Sequence, residues 1–351
     1  MTGSSPQLEP AVDLRALADW MDREGLPGGP ITGVERLAGG TQNILIRFTR
    51  GGRCYVFRRG PEHLRPRSND VIAREALVLA ALEGTDVPHP RLIAACTDES
   101  VLGGAVFYLM EPVEGFNATV AMPALHASDA GIRHAMGLSA AEALARLGAV
   151  DHVAVGLDDF GRPEGFLERQ VGRWMSELDS YSRYDGYPGP DMPGLDRVAE
   201  WLDANRPSSF APGIMHGDYH LANLMYEYDG PAVAAIVDWE MSTIGDPLLD
   251  LGWLVAMWPA PDGEGVAAPS AVAALGGLCS GQELVARYAE LTSRDLSAID
   301  WYTALACFKC GIVLEGSNAR ACAGKATREV GDLLHAITLG LFARARTIIG
   351  G

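Results

Sequence analysis

Three oxygen-bearing side chains, Asp218, Asn223 and Asp238, fall within one short stretch of the chain, Met215 to Glu240. In the run Ile214-Met215-His216-Gly217-Asp218-Tyr219-His220-Leu221-Ala222-Asn223, Asp218 lies five residues before Asn223, so one loop can present both. Two strand-like runs between Asn223 and Asp238 flank Asp229-Gly230, a pair favoured in hairpin turns, and such a hairpin brings its two ends together. One loop and one hairpin thereby gather two carboxylates and an amide oxygen. The trio suits phosphoryl transfer, in which the reacting phosphate changes little covalently and the protein must position groups and neutralise spreading negative charge. Oxygen donors also suit Mg²⁺, which keeps several waters and binds through one or two carboxylates plus substrate phosphates. Asp238 is the expected principal metal ligand and Asn223 the second. Asp218 is expected to accept a hydrogen bond from an incoming hydroxyl and to act as the catalytic base. Each residue alone reads as a turn cap or a strand end. Their joint spacing carries the reading.

His216-Gly217-Asp218-Tyr219-His220 with Asn223 resembles the catalytic loop of the aminoglycoside phosphotransferase and choline kinase group, which has a protein-kinase-like fold. Asp238-Trp239-Glu240 stands where protein kinases carry Asp-Phe-Gly, and its third-position Glu is similar to choline kinases. The resemblance implies that Glu240 helps to hold a second Mg²⁺ or touches the acceptor; otherwise it is a surface carboxylate after a strand. The run Gly245 to Trp253 extends the match. Asp246 before Pro247 has the arrangement of an N-cap followed by a first-turn proline. By resemblance, Asp250 braces the catalytic loop through its backbone or through His216.

Nucleotide handling requires a loop over the phosphates, a cation and a carboxylate that orients the cation. Gly39-Gly40-Thr41-Gln42-Asn43 is the loop candidate, because glycines let backbone N–H groups approach phosphate oxygens. In Val56-Phe57-Arg58 the cation falls on Arg58, where most kinases place Lys; its planar fork can still reach two oxygens. Glu75 is its expected partner, and Arg59, of opposite facing in the strand, is expected to point to solvent. The resemblance also implies that backbone groups of Glu111 and Val113 pair with the adenine edge.

The elements that must position these residues are legible as patterns. An amphipathic helix over 11–24 precedes a β-meander with strands near 31–37, 44–49 and 54–58, the last two joined at Gly51-Gly52. A helix over 71–82 and strands at 92–96 and 105–110 follow. Helical patterning then dominates, at about 129–148, 165–182, 194–204, 247–257, 281–292, 298–315 and 326–347. The expected fold class is α+β, a bilobal protein-kinase-like fold with a sheet-rich N-terminal lobe (1–110), a hinge (111–115) and a helical C-terminal lobe (116–351) that carries the catalytic loop.

At 351 residues and 48% hydrophobic content the chain can bury a large core. With 45 acidic against 28 basic residues, a formal charge of −17 argues against nucleic acid or an anionic membrane as partner. No apolar run approaches the roughly 20 residues that span a bilayer, and residues 1–20 carry no signal-peptide pattern, so the expected location is cytoplasmic. Cys307 and Cys310 form one Cys-x-x-Cys in a helical stretch, and the six cysteines read as reduced packing residues.

The segments Gly156 to Gly161 and Gly165 to Trp174 resemble one subgroup of the family, kinase domains related to those fused to acyl-CoA dehydrogenases in some animal proteins. That resemblance implies ATP and Mg²⁺ as cofactors and a hydroxylated acyl group or its CoA ester as the small acceptor. Arg169 and Arg173, with Trp174, are candidates for meeting an anionic acceptor, or form a solvated helix face with one buried aromatic. Three other readings compete: an aminoglycoside or choline-type kinase, a nucleotide-binding pseudokinase motivated by Arg58, and a metal-dependent hydrolase using His216 or His220.

Overall fold

A computed structural model describes residues 12–37, 43–259 and 270–350. The chain divides into two compact units, residues 1–85 with 89–113, and residues 86–88 with 114–351. Among the described residues no helix is long and apolar enough to cross a membrane.

The first unit contains α1 (Leu14–Arg23), β1 (Thr32–Arg36), β2 (Ile44–Arg50), β3 (Arg53–Arg59), α2 (Ser68–Leu82), β4 (Leu92–Cys96) and β5 (Phe107–Met110). The strands form one antiparallel sheet in the order β1-β2-β3-β5-β4. Gly51 and Gly52, both at positive φ (56° and 76°), supply the two left-handed residues that a tight β2–β3 turn requires. Asp13 starts α1 by accepting the N–H groups of Arg15 and Ala16. The helix buries Leu17, Trp20 and Met21 among Phe48, Phe57, Phe107 and Leu109, with Trp20 edge-on to Phe107 at 4.7 Å between centroids.

The second unit contains β6 (Phe116–Asn117), α3 (Ala124–Ser128), α4 (Ala130–Ala149), α5 (Gln170–Asp179), α6 (Leu195–Ala204), β7 (Gly213–Met215), β8 (Leu224–Tyr226), β9 (Val233–Ile236), β10 (Thr243–Gly245), α7 (Leu248–Met257), α8 (Ala271–Leu275), α9 (Gly281–Glu290), α10 (Ile299–Cys322) and α11 (Arg328–Ile348). The architecture is thus mixed, sheet-rich first and helical after. Two small sheets, β6-β8-β9 and β10-β7, carry the loops between helices.

Several elements differ from the sequence pattern for identifiable reasons. Helix α10 continues past 315 because Gly316 does not end it: a Cβ there would lie 2.6 Å from the Tyr181 ring, so the glycine admits a packed aromatic. Helix α5 begins at Gln170 rather than near 165, where Gly165 has φ 61°. The β8–β9 connection is not a two-residue turn on Asp229-Gly230; it closes more widely, with Glu227 N–H bonded to the Ala232 carbonyl at 3.0 Å. Pro231 explains this, since a proline disfavours the helical region for the residue before it, and Gly230 is not at positive φ. The short β6, β7 and β10 and the one-turn α3 and α8 are too brief to show periodicity.

Helices α7 and α10 approach closely at Gly252, where an added Cβ would lie 2.6 Å from both the Tyr302 carbonyl carbon and oxygen. Backbone cannot rotate away as a side chain can. Alanine would contribute about 1 kcal/mol of helix propensity at Gly252, but forced separation of packed helices costs roughly 1–3 kcal/mol. Gly252→Ala is therefore expected to lower the unfolding midpoint in a thermal melt, and an unchanged or higher midpoint would show that the two helices separate freely.

Candidate active site

The loop after β7 is held by a carboxylate from the helix that follows the hairpin. Asp250, 1% exposed in the first turn of α7, accepts the His216 N–H at 2.6 Å through Oδ2 and the Gly217 N–H at 2.9 Å through Oδ1. Burial raises its pKa to about 6, against the lowering effect of those two N–H bonds. Gly217 has φ 86°, and a Cβ there would collide with the Met241 carbonyl oxygen, so the sharp bend accepts only glycine. Asp246 sits just before the helix: its carboxylate accepts the Leu248 N–H at 3.1 Å and the Tyr302 hydroxyl, and burial raises its pKa. The helix itself begins one residue later than expected, with Pro247 as the capping position.

His216 is fully buried and its two ring nitrogens are both engaged. Nδ1 accepts the Asp218 N–H at 3.3 Å, and Nε2 faces the Val237 carbonyl at 3.0 Å, so the proton belongs on Nε2. Burial pushes its pKa down to about 4, which keeps the ring neutral and suits this pairing. The same imidazole thereby ties the loop to the end of β9.

Asp218 meets two neighbours on its carboxylate. Asn223 Nδ2 donates to Oδ2 at 3.1 Å and to the Asp218 main-chain oxygen at 2.9 Å. His220 Nε2 stands 3.3 Å from Oδ1, while its Nδ1 accepts the Ala222 N–H, which leaves the imidazole proton on the side of Asp218. Burial works to raise the Asp218 pKa, but the hydrogen bond and charge of His220, with smaller contributions from His216 and Lys309, hold the carboxyl down at about 2.

The β8–β9 pairing places Leu224 opposite Ile236, and Val237 N–H bonds to the Asn223 carbonyl at 2.9 Å, so Asn223 and Asp238 flank the same end of the hairpin. Because Nδ2 of Asn223 is committed to Asp218, its amide oxygen faces the other way. Asp238 has φ 69°, a left-handed conformation that Asp tolerates better than most side chains. A carboxylate oxygen of Asp238 and one of exposed Glu240 lie within 4.8 Å of each other. Two carboxylates and an oriented amide oxygen form an all-oxygen donor set, which fits a hard cation such as Mg²⁺.

In the first unit, Arg58 and Glu75 form a buried pair, with Nε to Oε2 at 2.7 Å and Nη2 to Oε1 at 3.0 Å. Tyr108, opposite Arg58 in the β3–β5 register, donates its hydroxyl to Glu75 Oε2 at 2.8 Å. Arg59 does not point to solvent: it is only 7% exposed, bonds to the carbonyls of Gly60 and Pro61, and has its pKa lowered by burial. Its long side chain folds back along the polypeptide where the strand ends. Glu111 is tied down by its N–H to the Arg91 carbonyl at 2.9 Å and by Arg53 on its carboxylate at 2.7 Å. Asn43 directly precedes β2, and Gly39, Gly40 and Thr41 lie outside the described residues.

The three acceptor candidates separate. Arg169 spends its guanidinium on the carbonyls of Arg162 and Glu164, a local loop clamp. Arg173 lies over the Trp174 ring at 5.0 Å. Trp174 is 6% exposed and also faces the ammonium of Lys309, which donates to the Gly217 carbonyl at 2.9 Å. Lys309 is the residue that sequence reading passed over, although a lone charge in the apolar run Trp301 to Leu314 was a visible signal.

Comparison with known proteins gives the chain a family. Residues 33–290 match the model of the phosphotransferase enzyme family. Acyl-CoA dehydrogenase family member 11 from Gallus gallus is 30% identical over 311 residues, 86% of this chain. The chain spans only 38% of that relative's length. A crystal structure of a provisionally assigned aminoglycoside phosphotransferase from Ralstonia eutropha is 30% identical and superposes with a TM-score of 0.76, covering 96% of this chain and 99% of that one. An aminoglycoside phosphotransferase solved with GDP and kanamycin shares the fold at 16% identity, with a TM-score of 0.63 over 95% of this chain and 99% of that one. With its loop, hairpin and bracing helix inside the matched region, the chain belongs to the phosphotransferase enzyme family.

Proposed function

We propose that this protein is an ATP-dependent small-molecule kinase that transfers the γ-phosphate to a hydroxyl, and that the acceptor is a hydroxylated acyl group or its CoA ester. The observation that carries the reaction type is the Asp218–Asn223 contact. One amide orients the carboxylate through its nitrogen and keeps its oxygen for a cation at the hairpin end, where Asp238 also stands.

In this reading Asp218 accepts the hydrogen bond of the acceptor hydroxyl, orients that oxygen for attack and receives its proton as the new O–P bond forms and the bond from the γ-phosphorus to the bridging oxygen breaks, releasing ADP. A carboxyl held at about 2 is ionised at neutral pH and so available as acceptor. His220 and Asn223 fix its rotamer. Asn223 and Asp238, with Glu240, would hold Mg²⁺, which when bound supplies charge neutralisation for the phosphate oxygens. Arg58, kept in its strand by Glu75 and Tyr108, offers a planar fork to phosphate oxygens in the place where most kinases use Lys. Gly39, Gly40, Thr41 and Asn43 contribute backbone donors over the phosphates. Among the described residues the Glu111 carbonyl and the Val113 N–H take part in no hydrogen bond, which suits them to a nucleobase edge.

The acceptor class rests on the acyl-CoA dehydrogenase name of the relatives, whose sequences extend well beyond this chain. It is also consistent with Arg173, a cation next to buried Trp174.

Incubating the protein with γ-labelled ATP, Mg²⁺ and a panel of hydroxyacyl-CoAs, choline analogues and aminoglycosides is expected to label a hydroxyacyl-CoA; label on an aminoglycoside alone would overturn the acceptor class. Asp218→Asn keeps shape but removes the base, and its kcat should fall roughly 10²- to 10⁴-fold. Intact transfer in that variant would show that Asp218 is not the base. Asp250→Ala leaves the His216 and Gly217 N–H groups without their acceptor, a cost of about 1–3 kcal/mol. It should lower both the urea midpoint and kcat, and a variant with unchanged turnover would remove Asp250 from the positioning of the loop.

A further inference from the structure

Lys309 lies in α10 with 7% of its surface exposed. Among the described residues it forms no ion pair with any carboxylate, which is rare for a buried ammonium. Its Nζ instead sits 4.3 Å from the Trp253 ring centroid and 5.5 Å from that of Trp174, and donates to the Gly217 carbonyl at 2.9 Å. Burial lowers its pKa while the more distant Asp250 and Asp218 raise it.

That carbonyl belongs to the peptide joining Gly217 to Asp218. The preceding two N–H groups are gripped by Asp250, whose carboxylate cannot hold the next plane as well. The N–H of the Gly217–Asp218 peptide goes to His216 Nδ1 at 3.3 Å, a long bond. This plane turns about ψ of Gly217 and φ of Asp218, and with no Cβ on Gly217 to restrict that ψ it is the one left free to rotate, a rotation that would swing Asp218. The ammonium on its oxygen closes the last degree of freedom. Charge-assisted bonds are about twice as strong as neutral ones, so this contact outweighs the one to His216.

We propose that Lys309, caged by Trp174 and Trp253 rather than paired with a carboxylate, is a positioning residue that locks the Gly217–Asp218 peptide and thereby aims Asp218. The aromatic cage stabilises the cation through the ring quadrupoles without competing for its hydrogen bond. A carboxylate partner in the same place would draw the ammonium from the Gly217 oxygen. As a packing device the residue is poor, because an unpaired buried charge costs stability that an apolar chain of similar volume does not. Such departures from packing rules are expected where function is served. The inference rests on Asp218 acting in phosphoryl transfer.

The test is Lys309→Met, which keeps an unbranched, slightly shorter side chain and removes the charge. Thermal unfolding and ADP release from Mg·ATP, in the presence of the acceptor panel above, are measured for both proteins. The expected result is an unfolding midpoint equal to or above that of the unsubstituted protein, an unchanged KM for ATP, and a kcat lower by roughly 10- to 100-fold, as small misplacements of a reacting group produce. A lowered midpoint with a proportionate loss of active protein would reduce Lys309 to a structural residue. Unchanged kcat with a stable fold would overturn the inference while leaving the kinase reading intact. If the unsubstituted protein releases no ADP under these conditions, the kinase reading and this inference fall together.

Discussion

Two N–H groups on one buried carboxylate set the geometry of the candidate site. Asp250 accepts from His216 and Gly217, and those two bonds decide where the chain turns after β7. Everything downstream inherits that bend. Asp218 follows it directly, His216 reaches from it to the Val237 carbonyl, and Asn223 closes the loop back onto Asp218. Burying a carboxylate is costly, as its raised pKa records, and the expense is offset because two main-chain donors would otherwise be left without partners in the interior. A surface carboxylate could not impose the same geometry, since water would compete for both N–H groups.

Around that bend the polar groups are arranged in chains rather than isolated pairs. Asp246 and Asp250 both come from the start of α7, and Tyr302 and Lys309 both come from α10, which packs against α7 at Gly252. Helix packing therefore fixes four polar side chains at once. In the first unit the same logic appears on a smaller scale: Arg58, Glu75 and Tyr108 come from β3, α2 and β5, so the sheet register and the helix position together determine one buried pair. A lone Arg–Glu pair inside a protein is a weak source of stability. Its value lies in holding the guanidinium in a single orientation.

Legibility varied with the range of the interaction. The long helices α4, α6, α7, α9 and α11 lie close to where the sequence pattern puts them, and β2 alternates along its length, because such patterns are local. Helix α10 did not end at Gly316, since that glycine answers to the ring of Tyr181, a residue far away in sequence. Asp229-Gly230 carries the signature of a tight turn, yet Pro231 holds the glycine out of it. Arg59 has the alternation of an outward strand residue but is buried where its strand ends. In each case a tertiary neighbour or an adjoining residue outweighed the local rule.

The sequence by itself determined the inventory and order of the chemistry: Asp218, Asn223 and Asp238 at fixed spacing, and the family to which the chain belongs. Those are properties of residue type and short separation, and they need no knowledge of what packs on what. Only the tertiary structure decided that Asn223 turns its nitrogen to Asp218, that Arg169 serves its own loop while Arg173 stands at Trp174, and that Lys309 reaches the Gly217 carbonyl from 92 residues away. The physical reason is that hydrogen bonds and ion cages depend on orientation and on exclusion of water. Both arise from the packing of helices and strands distant in the chain, which no local pattern encodes.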